Sequence, residues 1–448
     1  MTRASRKTCS MNAMTRSPAR TSSPATRQQV QLCLGETGTP VGSLTYARQG
    51  RRENAAFAYH DSWLASPNRF NVSADLQLTS GYQPHKAASA HDSVFHGAIA
   101  DTAPDAWGRR VIARDHAKRR RADPGLPPLT ELDYLLAVDD FSRVGALRLQ
   151  DSSGQWQRTV EEGRRRTPPL IELEKTYRAS RALESGQESA EDLRYLQGKG
   201  TSLGGMRPKC TMIDEDGWLT IGKFPSVGDG RSVTRGEVLA LKLAEKAGIP
   251  AAAARIVQLG DTPIAVIRRF DRTTGNHRIP YQSAATLLQA SREEDRSYTE
   301  LVDALHTHAK NPAADIRQLW RRILFNLLIT NVDDHLQNHG FLHVDNGHWR
   351  LAPAFDINPF PDRERESKTW LSEEDGPVTD VHMLMARAPW FSLNGEQALQ
   401  ILREVHQAVS RWRKVALSPA VGMKSTELDD FAAAFEHEQM EAAAGLLG

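Results

Sequence analysis

Asn331-Val332-Asp333-Asp334-His335-Leu336-Gln337-Asn338-His339-Gly340, answered by Leu351-Ala352-Pro353-Ala354-Phe355-Asp356-Ile357-Asn358, is the stretch around which the 448-residue chain is organised. Just upstream, Trp320, Ile323, Leu324, Leu327 and Leu328 recur at helical spacing and make one apolar stripe, which predicts a helix over 316–330 that Asn331 ends. The decapeptide itself has no apolar period and is too dense in Asp, His and Asn to be core. It reads as a loop held by the helix behind it. Two short strands, 340–344 and 348–352, then flank Asp345-Asn346-Gly347, where Asn-Gly signals a tight hairpin turn. That hairpin brings Asp356 back toward Asp333 and Asn338.

Three oxygen-bearing side chains converging from a loop and a strand end suit phosphoryl transfer. One carboxylate orients the acceptor hydroxyl and takes its proton, while an Asn amide oxygen and a second carboxylate hold Mg2+ on nucleotide phosphates. Asp333 and Asn338 stand at the D-x-x-x-x-N spacing of a protein-kinase catalytic loop, and Asp356 is placed as the metal-binding Asp. Asn and Asp also gather in ordinary loops, so the rest of the chain has to decide.

The balance of 57 basic and 55 acidic side chains argues against wholesale nucleic-acid binding. Cys9, Cys33 and Cys210 are scattered and show neither metal-ligand spacing nor a disulfide framework, which fits a reducing cytosol. No apolar run approaches the ~18 residues of a membrane span, so a cytoplasmic protein without a membrane partner is expected. Residues 1–27 hold six basic and no acidic residues amid Ser, Thr, Ala and Pro, and are expected to be a disordered basic tail. A transit peptide has a similar composition, and Met11 and Met14 leave the start open.

Residues 28–150 read as one subdomain. A hairpin turns at Gly35-Glu36-Thr37-Gly38, a small α+β unit follows through Phe57 and Trp63, and a helix over 105–121 ends strongly basic. That basic end is either a solvated helix terminus or a surface for a partner or nucleic acid. Residues 151–197 read as a linker, Arg164 to Pro169, and a helical segment. Then comes Gly198-Lys199-Gly200-Thr201-Ser202-Leu203-Gly204-Gly205-Met206-Arg207-Pro208-Lys209, glycine-rich and cationic but lacking the Walker A order. A hairpin over 210–224 turns at Asp214-Glu215-Asp216-Gly217 and carries Lys223 in an apolar strand. A buried ammonium there is costly without a partner, and an ATP phosphate would supply one. Glu237, on the helix from Thr234 to Ala247, either pairs with Lys223 or completes a capping box with Thr234; the capping box is preferred. A further strand pair, 251–259 and 262–270, ends in Arg268-Arg269-Phe270-Asp271-Arg272, where a hinge belongs. Beyond it, 281–448 reads as a helical lobe that carries the catalytic loop.

Together, Ser202 to Lys209, Ile221-Gly222-Lys223-Phe224, Arg269-Phe270-Asp271-Arg272, Asn331 to Phe341 and Phe355-Asp356 resemble the HipA family of toxin serine/threonine kinases. Asp105-Ala106-Trp107-Gly108-Arg109-Arg110 and the segment from Val138 to Arg148 are similar to that family's N-terminal region. The resemblance runs over roughly 28–420. It implies an α+β, kinase-like two-lobed fold with a β-rich N-terminal lobe and an all-helical C-terminal lobe. It also implies ATP and Mg2+, a protein substrate phosphorylated on a hydroxyl, and a helix-turn-helix antitoxin through which alone DNA is contacted. The family's known substrates make a translation-related protein, such as an aminoacyl-tRNA synthetase, the implied target.

By position, the resemblance makes Asp333 the catalytic base and Asn338 and Asp356 the metal ligands. Lys223 would hold ATP phosphates, with Gly204, Gly205, Met206, Arg207, Pro208 and Lys209 covering them. Arg268, Arg269 and Phe270 would meet the adenine by backbone contacts, His335 would orient the loop and belong to the cofactor-binding set, and Ser202 would be the self-phosphorylated serine. Arg268 departs from the family's usual Glu. Two rivals stand: a pseudokinase-like binding module, and a metal-dependent hydrolase using Asp333, Asp334, His335 and His339.

Overall fold

Residues 26–89, 91–157, 172–196 and 205–448 are described by the computed structural model. The alternating segment after Arg27 forms strands β1 (Thr26–Leu34) and β2 (Thr39–Gln49), and Gly35 and Gly38 take the positive φ that the turn between them needs. With β3 (Arg52–Tyr59), β4 (Gln83–Pro84) and β5 (Leu147–Gln150) they make an antiparallel sheet in the order β4-β3-β2-β1-β5. The basic helix, Ala106–Ala122, starts where Asp105 Oδ1 accepts the Gly108 N–H at 2.7 Å. Its Trp107 and Val111 pack on Ala179, Leu183, Leu193 and Leu196 of the helices Leu173–Glu184 and Ala190–Leu196. Much of its positive charge is consumed locally: Arg109 pairs with Glu131, and Arg114 and Lys118 with Glu188.

A second antiparallel sheet, β6-β7-β9-β8, comprises β6 (Lys209–Ile213), β7 (Leu219–Lys223), β8 (Ala254–Leu259) and β9 (Thr262–Arg268). The helix Val233–Lys246 lies between β7 and β8 in sequence, with Val238, Leu239, Leu241 and Leu243 fully buried. Asp271 joins this half to the N-terminal region. Its carboxylate accepts the Gly145 N–H at 2.7 Å and pairs with Arg269 and Arg272, whose guanidiniums also donate to carbonyls of Ser142, Arg143 and Gly145. Burial opposes the Asp271 charge, but the two guanidiniums outweigh it and hold the carboxyl far below its usual range.

The C-terminal region is mainly helical but contains strands, which corrects the expected all-helical lobe. β10 (Tyr281–Ser283), β11 (Gly340–Asp345) and β12 (His348–Leu351) form a three-stranded sheet, and β13 (Trp370–Ser372) pairs with β14 (Gly376–Pro377). The Asn-Gly hairpin forms as read, with Asn346 and Gly347 both at positive φ. Ser283 is the last residue of β10, its backbone paired with Gly340, and a short helix, Ala284–Leu287, follows at once. The apolar helix spans Pro312–Leu328, with Leu319, Trp320, Leu324 and Leu328 completely buried. Among the described residues no helix is long and apolar enough to cross a membrane.

Candidate active site

The end of the apolar helix sets the loop. Thr330 turns through a positive φ of 54°, Asn331 Nδ2 donates to Asn326 Oδ1 at 3.1 Å, and Asn331 Oδ1 accepts the Asn358 N–H at 3.3 Å. One buried Asn therefore ties the loop both to its helix and to the segment carrying Asp356. Asp334 points inward. It is 3 % exposed, takes hydrogen bonds from Tyr298 and from Asn326 at 2.7 Å, and lies 3.0 Å from His339 Nε2. Burial raises its carboxyl, but His339, Tyr298 and Asn326 more than reverse this and leave it below its ordinary value. Asp334 and His339 are thus consumed in a buried network, which removes two ligands from the hydrolase alternative.

Asp333 points the other way and is ion-paired with Lys368. Its backbone carbonyl accepts from Asn338 Nδ2 at 2.9 Å, which fixes the amide with its oxygen turned away from that carbonyl. His335 is half-buried and its Nδ1 has no hydrogen-bond partner among the described residues. Burial lowers its pKa, opposed by Asp333 and then, more weakly, by Asp356, so the imidazole lies within the fields of both carboxylates.

Lys223 organises the opposite wall. Its Nζ is 2.6 Å from Glu237 Oε1 and 2.6 Å from Asp356 Oδ1. Burial disfavours the ammonium, but Asp356 and Glu237 more than offset that and hold its pKa above the ordinary lysine range. Burial pushes the Glu237 carboxyl up, whereas Lys223 and Lys209 hold Asp356 down against the same effect. The preferred capping box is therefore corrected. Thr234 Oγ1 donates to the Pro263 carbonyl, the helix begins one residue earlier at Val233, and the Glu237 side chain turns to Lys223. Asp356 itself sits at a φ of 54°, the left-handed region that non-glycine residues seldom occupy. Strained backbone of this kind concentrates at functional sites.

Of the glycine-rich stretch, Ser202 and Gly204 lie outside the described residues, as do the residues from Gly198 to Leu203 generally. Gly205 has a φ of 90°, and a Cβ there would stand 2.9 Å from Lys209 Nζ and 3.9 Å from Asp356 Oδ2, so its backbone approaches the charge cluster closely. Met206 is 80 % exposed, Arg207 pairs with Asp229, and the Pro208 carbonyl accepts from Phe224 N. Lys209, expected to face phosphates, is instead 3.0 Å from Asp105 Oδ2.

Arg268, Arg269 and Phe270 line a small cavity of about 30 Å³ with Ile221, Lys223, Glu237, Ala252, Phe355 and Asp356. The N–H groups of Arg268 and Arg269 are donated to the carbonyls of Ala253 and Leu219, at 2.8 and 3.0 Å. The Arg268 side chain lies over the Trp218 ring, and that of Arg269 is buried in the joint with the N-terminal region. Reading the sequence missed Lys368, which sits in a polar stretch without pattern, and assigned no role to Asp105, whose capping position hid its second partner.

Taken together, Lys223, Glu237 and Asp356 leave one more negative than positive charge when all are ionised, while Lys209 and Asp105 cancel. The carboxylate of Asp356 and the amide oxygen of Asn338 are hard oxygen ligands, which fit Mg2+ rather than a soft metal.

Comparison with known proteins gives a consistent family. Residues 36–150 match the HipA N-terminal domain, and residues 201–412 match the HipA-like C-terminal domain. A Haemophilus influenzae protein described as "Putative kinase" is 31 % identical over 109 residues, covering 22 % of this chain and 32 % of that one. A Sinorhizobium fredii protein described as "Putative kinase Y4mE" is 25 % identical over 346 residues, 71 % of this chain and 75 % of that one. Among solved structures, the Shewanella oneidensis toxin-antitoxin complex of HipA, HipB and operator DNA contains a chain with the same fold. The TM-score is 0.63 at 17 % identity, with 92 % of this chain and 96 % of that chain covered.

Proposed function

The chain belongs to the HipA family of kinases, and we propose that it transfers the γ-phosphoryl group of ATP to a serine or threonine hydroxyl of another protein, with Asp333 as base. The placement of Lys223 at 2.6 Å from both Glu237 and Asp356 carries this, since a kinase needs a strand lysine fixed by a helix glutamate beside its metal-binding aspartate. When bound, Mg2+ would supply positive charge against the negative charge that develops on the phosphates during transfer. Asp356 and Asn338 Oδ1 would hold it. Lys223, pinned from both sides, offers its remaining N–H to phosphate oxygens. Asp333 accepts the acceptor's hydroxyl proton once Lys368 yields its place.

The supporting features are local, so the test is also local. The purified chain, incubated with Mg-ATP and candidate proteins, should label a hydroxyl, and Asp333→Ala should abolish labelling while ATP binding persists. Full labelling by Asp333→Ala would refute the assignment.

By family, a toxin role in the cytoplasm follows, opposed by a helix-turn-helix antitoxin that alone contacts operator DNA. The substrate would be a translation-related protein such as an aminoacyl-tRNA synthetase. Ser202 is the proposed site of self-phosphorylation, where a phosphate would add ~1.5 to 2 negative charges near Arg207 and Lys209. A second reading, a partner-binding pseudokinase, draws support from the pairing of Lys209 with Asp105 and of Asp333 with Lys368. Nucleotide affinity without transfer to any protein would favour it.

A further inference from the structure

Outside the set of residues used above, Asp75, His85 and His96 each bring one ligand atom to within 4.8 Å of the other two. They come from three separate pieces of the N-terminal region: the loop after Val72, the residue following β4, and the residue preceding the short helix Gly97–Ala100. We propose that these three side chains bind a divalent transition metal of the zinc class.

The hydrogen bonds around His85 carry most of the case. Its Nε2 lies 3.1 Å from the Ser93 carbonyl oxygen, which can only accept, so Nε2 bears the proton. In the neutral ring Nδ1 then directs a lone pair at Asp75 Oδ2, 3.5 Å away. Two acceptors face each other at that distance, and a cation between them turns repulsion into ligation. Ligands at tetrahedral angles round zinc, with bonds of about 2.0–2.2 Å, stand roughly 3.3 Å apart, close to the spacing of this pair. A histidine that donates its other N–H to a backbone carbonyl is the usual outer support of a metal ligand.

Asp75 is held by outer hydrogen bonds in the same manner. Asp75 accepts from Ser73 Oγ and, at 3.3 Å, from the Gly97 N–H, which leaves it oriented and still rich in lone pairs. His96 is 2 % exposed and its Nδ1 has no hydrogen-bond partner among the described residues. Two imidazole nitrogens and one carboxylate oxygen select zinc, cobalt or nickel over magnesium. All three residues line a cavity of about 440 Å³ whose wall also includes Tyr281, Gln337 and Phe355, so a fourth coordination position can be filled from that space by water or a small anion. The ion would fasten a region of very short elements that abuts the proposed kinase site without belonging to it.

The full chain, free of any histidine tag and stripped with a chelator, is titrated with Co2+ and with Zn2+ in the absence of nucleotide. One equivalent should bind, with the visible absorption of four-coordinate cobalt, and zinc should displace it. His85→Gln should weaken binding at least about 100-fold, given that even outer-shell changes cost 10- to 100-fold. Asp75→Asn should weaken it too, whereas Asp356→Asn should bind cobalt like the parent, which separates this site from the proposed magnesium site. His85 is partly exposed, so its variant keeps the test open if the buried His96→Gln fails to fold. No cobalt spectrum, or unchanged affinity in both His85→Gln and Asp75→Asn, would overturn the proposal.

Discussion

Lys209 Nζ lies 3.0 Å from Asp105 Oδ2, with the two side chains 2 % and 3 % exposed, so the first strand of the candidate nucleotide-binding sheet is ion-paired to the basic helix of the N-terminal region. Breaking such a pair from one side leaves a buried charge, at a cost of about 3–5 kcal/mol. Asp105 also caps its helix, and Asn caps as well as Asp. Asp105→Asn therefore isolates the charge, and should lower unfolding free energy by about 2–4 kcal/mol in urea titrations. Asp105→Ala should cost about 1 kcal/mol more. A loss under about 0.5 kcal/mol for the Asn variant would show that Lys209 is held by other groups, Asp356 first among them.

Adjacent aspartates with opposite orientations give a second expectation. Asp333→Asn removes a proton acceptor at a half-exposed position, so turnover should fall about 10²- to 10⁴-fold with little change in melting temperature. Asp334→Asn should do the reverse in kind. It disturbs a carboxylate that receives Tyr298 and Asn326 and neighbours His339, so stability should drop by about 1–3 kcal/mol and activity should follow the folded fraction. Equal effects of the two changes on turnover per folded molecule would contradict the separation.

How far the sequence carries differs between the strands and the charges. Regular periodicity located the Pro312–Leu328 helix, and Asn346-Gly347 located the hairpin, because both signals are local. The same pattern placed Lys223 in a strand and Asp356 behind the hairpin. It could not say that Glu237 leaves its helix terminus for Lys223, since the capping box and the ion pair use the same residue and only tertiary packing chooses between them. Strands β10 to β14 were in part hidden for a related reason: Tyr281–Ser283 and Trp370–Ser372 are three residues long, too short to show alternation, and are defined by their partners. Arg269 was assigned from its neighbours in the chain, whereas its role depends on Ser142 and Arg143, more than a hundred residues away.

The Lys223–Glu237 contact can be tested as a coupling. Lys223→Met leaves Glu237 and Asp356 facing each other without a cation, so nucleotide affinity measured by calorimetry should fall at least about tenfold. Glu237→Gln should weaken it less, because Asp356 still holds the ammonium. The double variant should be non-additive by about 1 kcal/mol or more, as expected for residues in direct contact. Additive losses would mean that Glu237 supports the fold but not the position of Lys223.

Asp101 gives a prediction about pH. Its carboxylate accepts the Ser283 N–H at 2.7 Å, Ser283 Oγ at 2.9 Å and Thr286 Oγ1 at 2.8 Å, which joins the N-terminal region to the strand and helix that open the C-terminal region. Burial nonetheless outweighs those three donors and pushes its pKa from 3.8 up to about 6. Between these values the folded chain keeps a proton that the unfolded chain has released, so the folded state binds more protons and stability must fall as pH rises. The contribution of this group is therefore largest below about pH 4, declines through about pH 6 and is constant above that, with a total change of at most about 3 kcal/mol. Other groups titrate in the same range, so the informative quantity is the difference between the parent and Asp101→Asn, whose amide cannot ionise. From about pH 4.5 to 7.5 that difference should move toward the Asn variant by about 1–3 kcal/mol in urea unfolding, whatever fixed offset the new amide introduces. A difference that stays constant over the same range would show that Asp101 is ionised in the folded chain as readily as in the unfolded one, and that its three donors outweigh its burial.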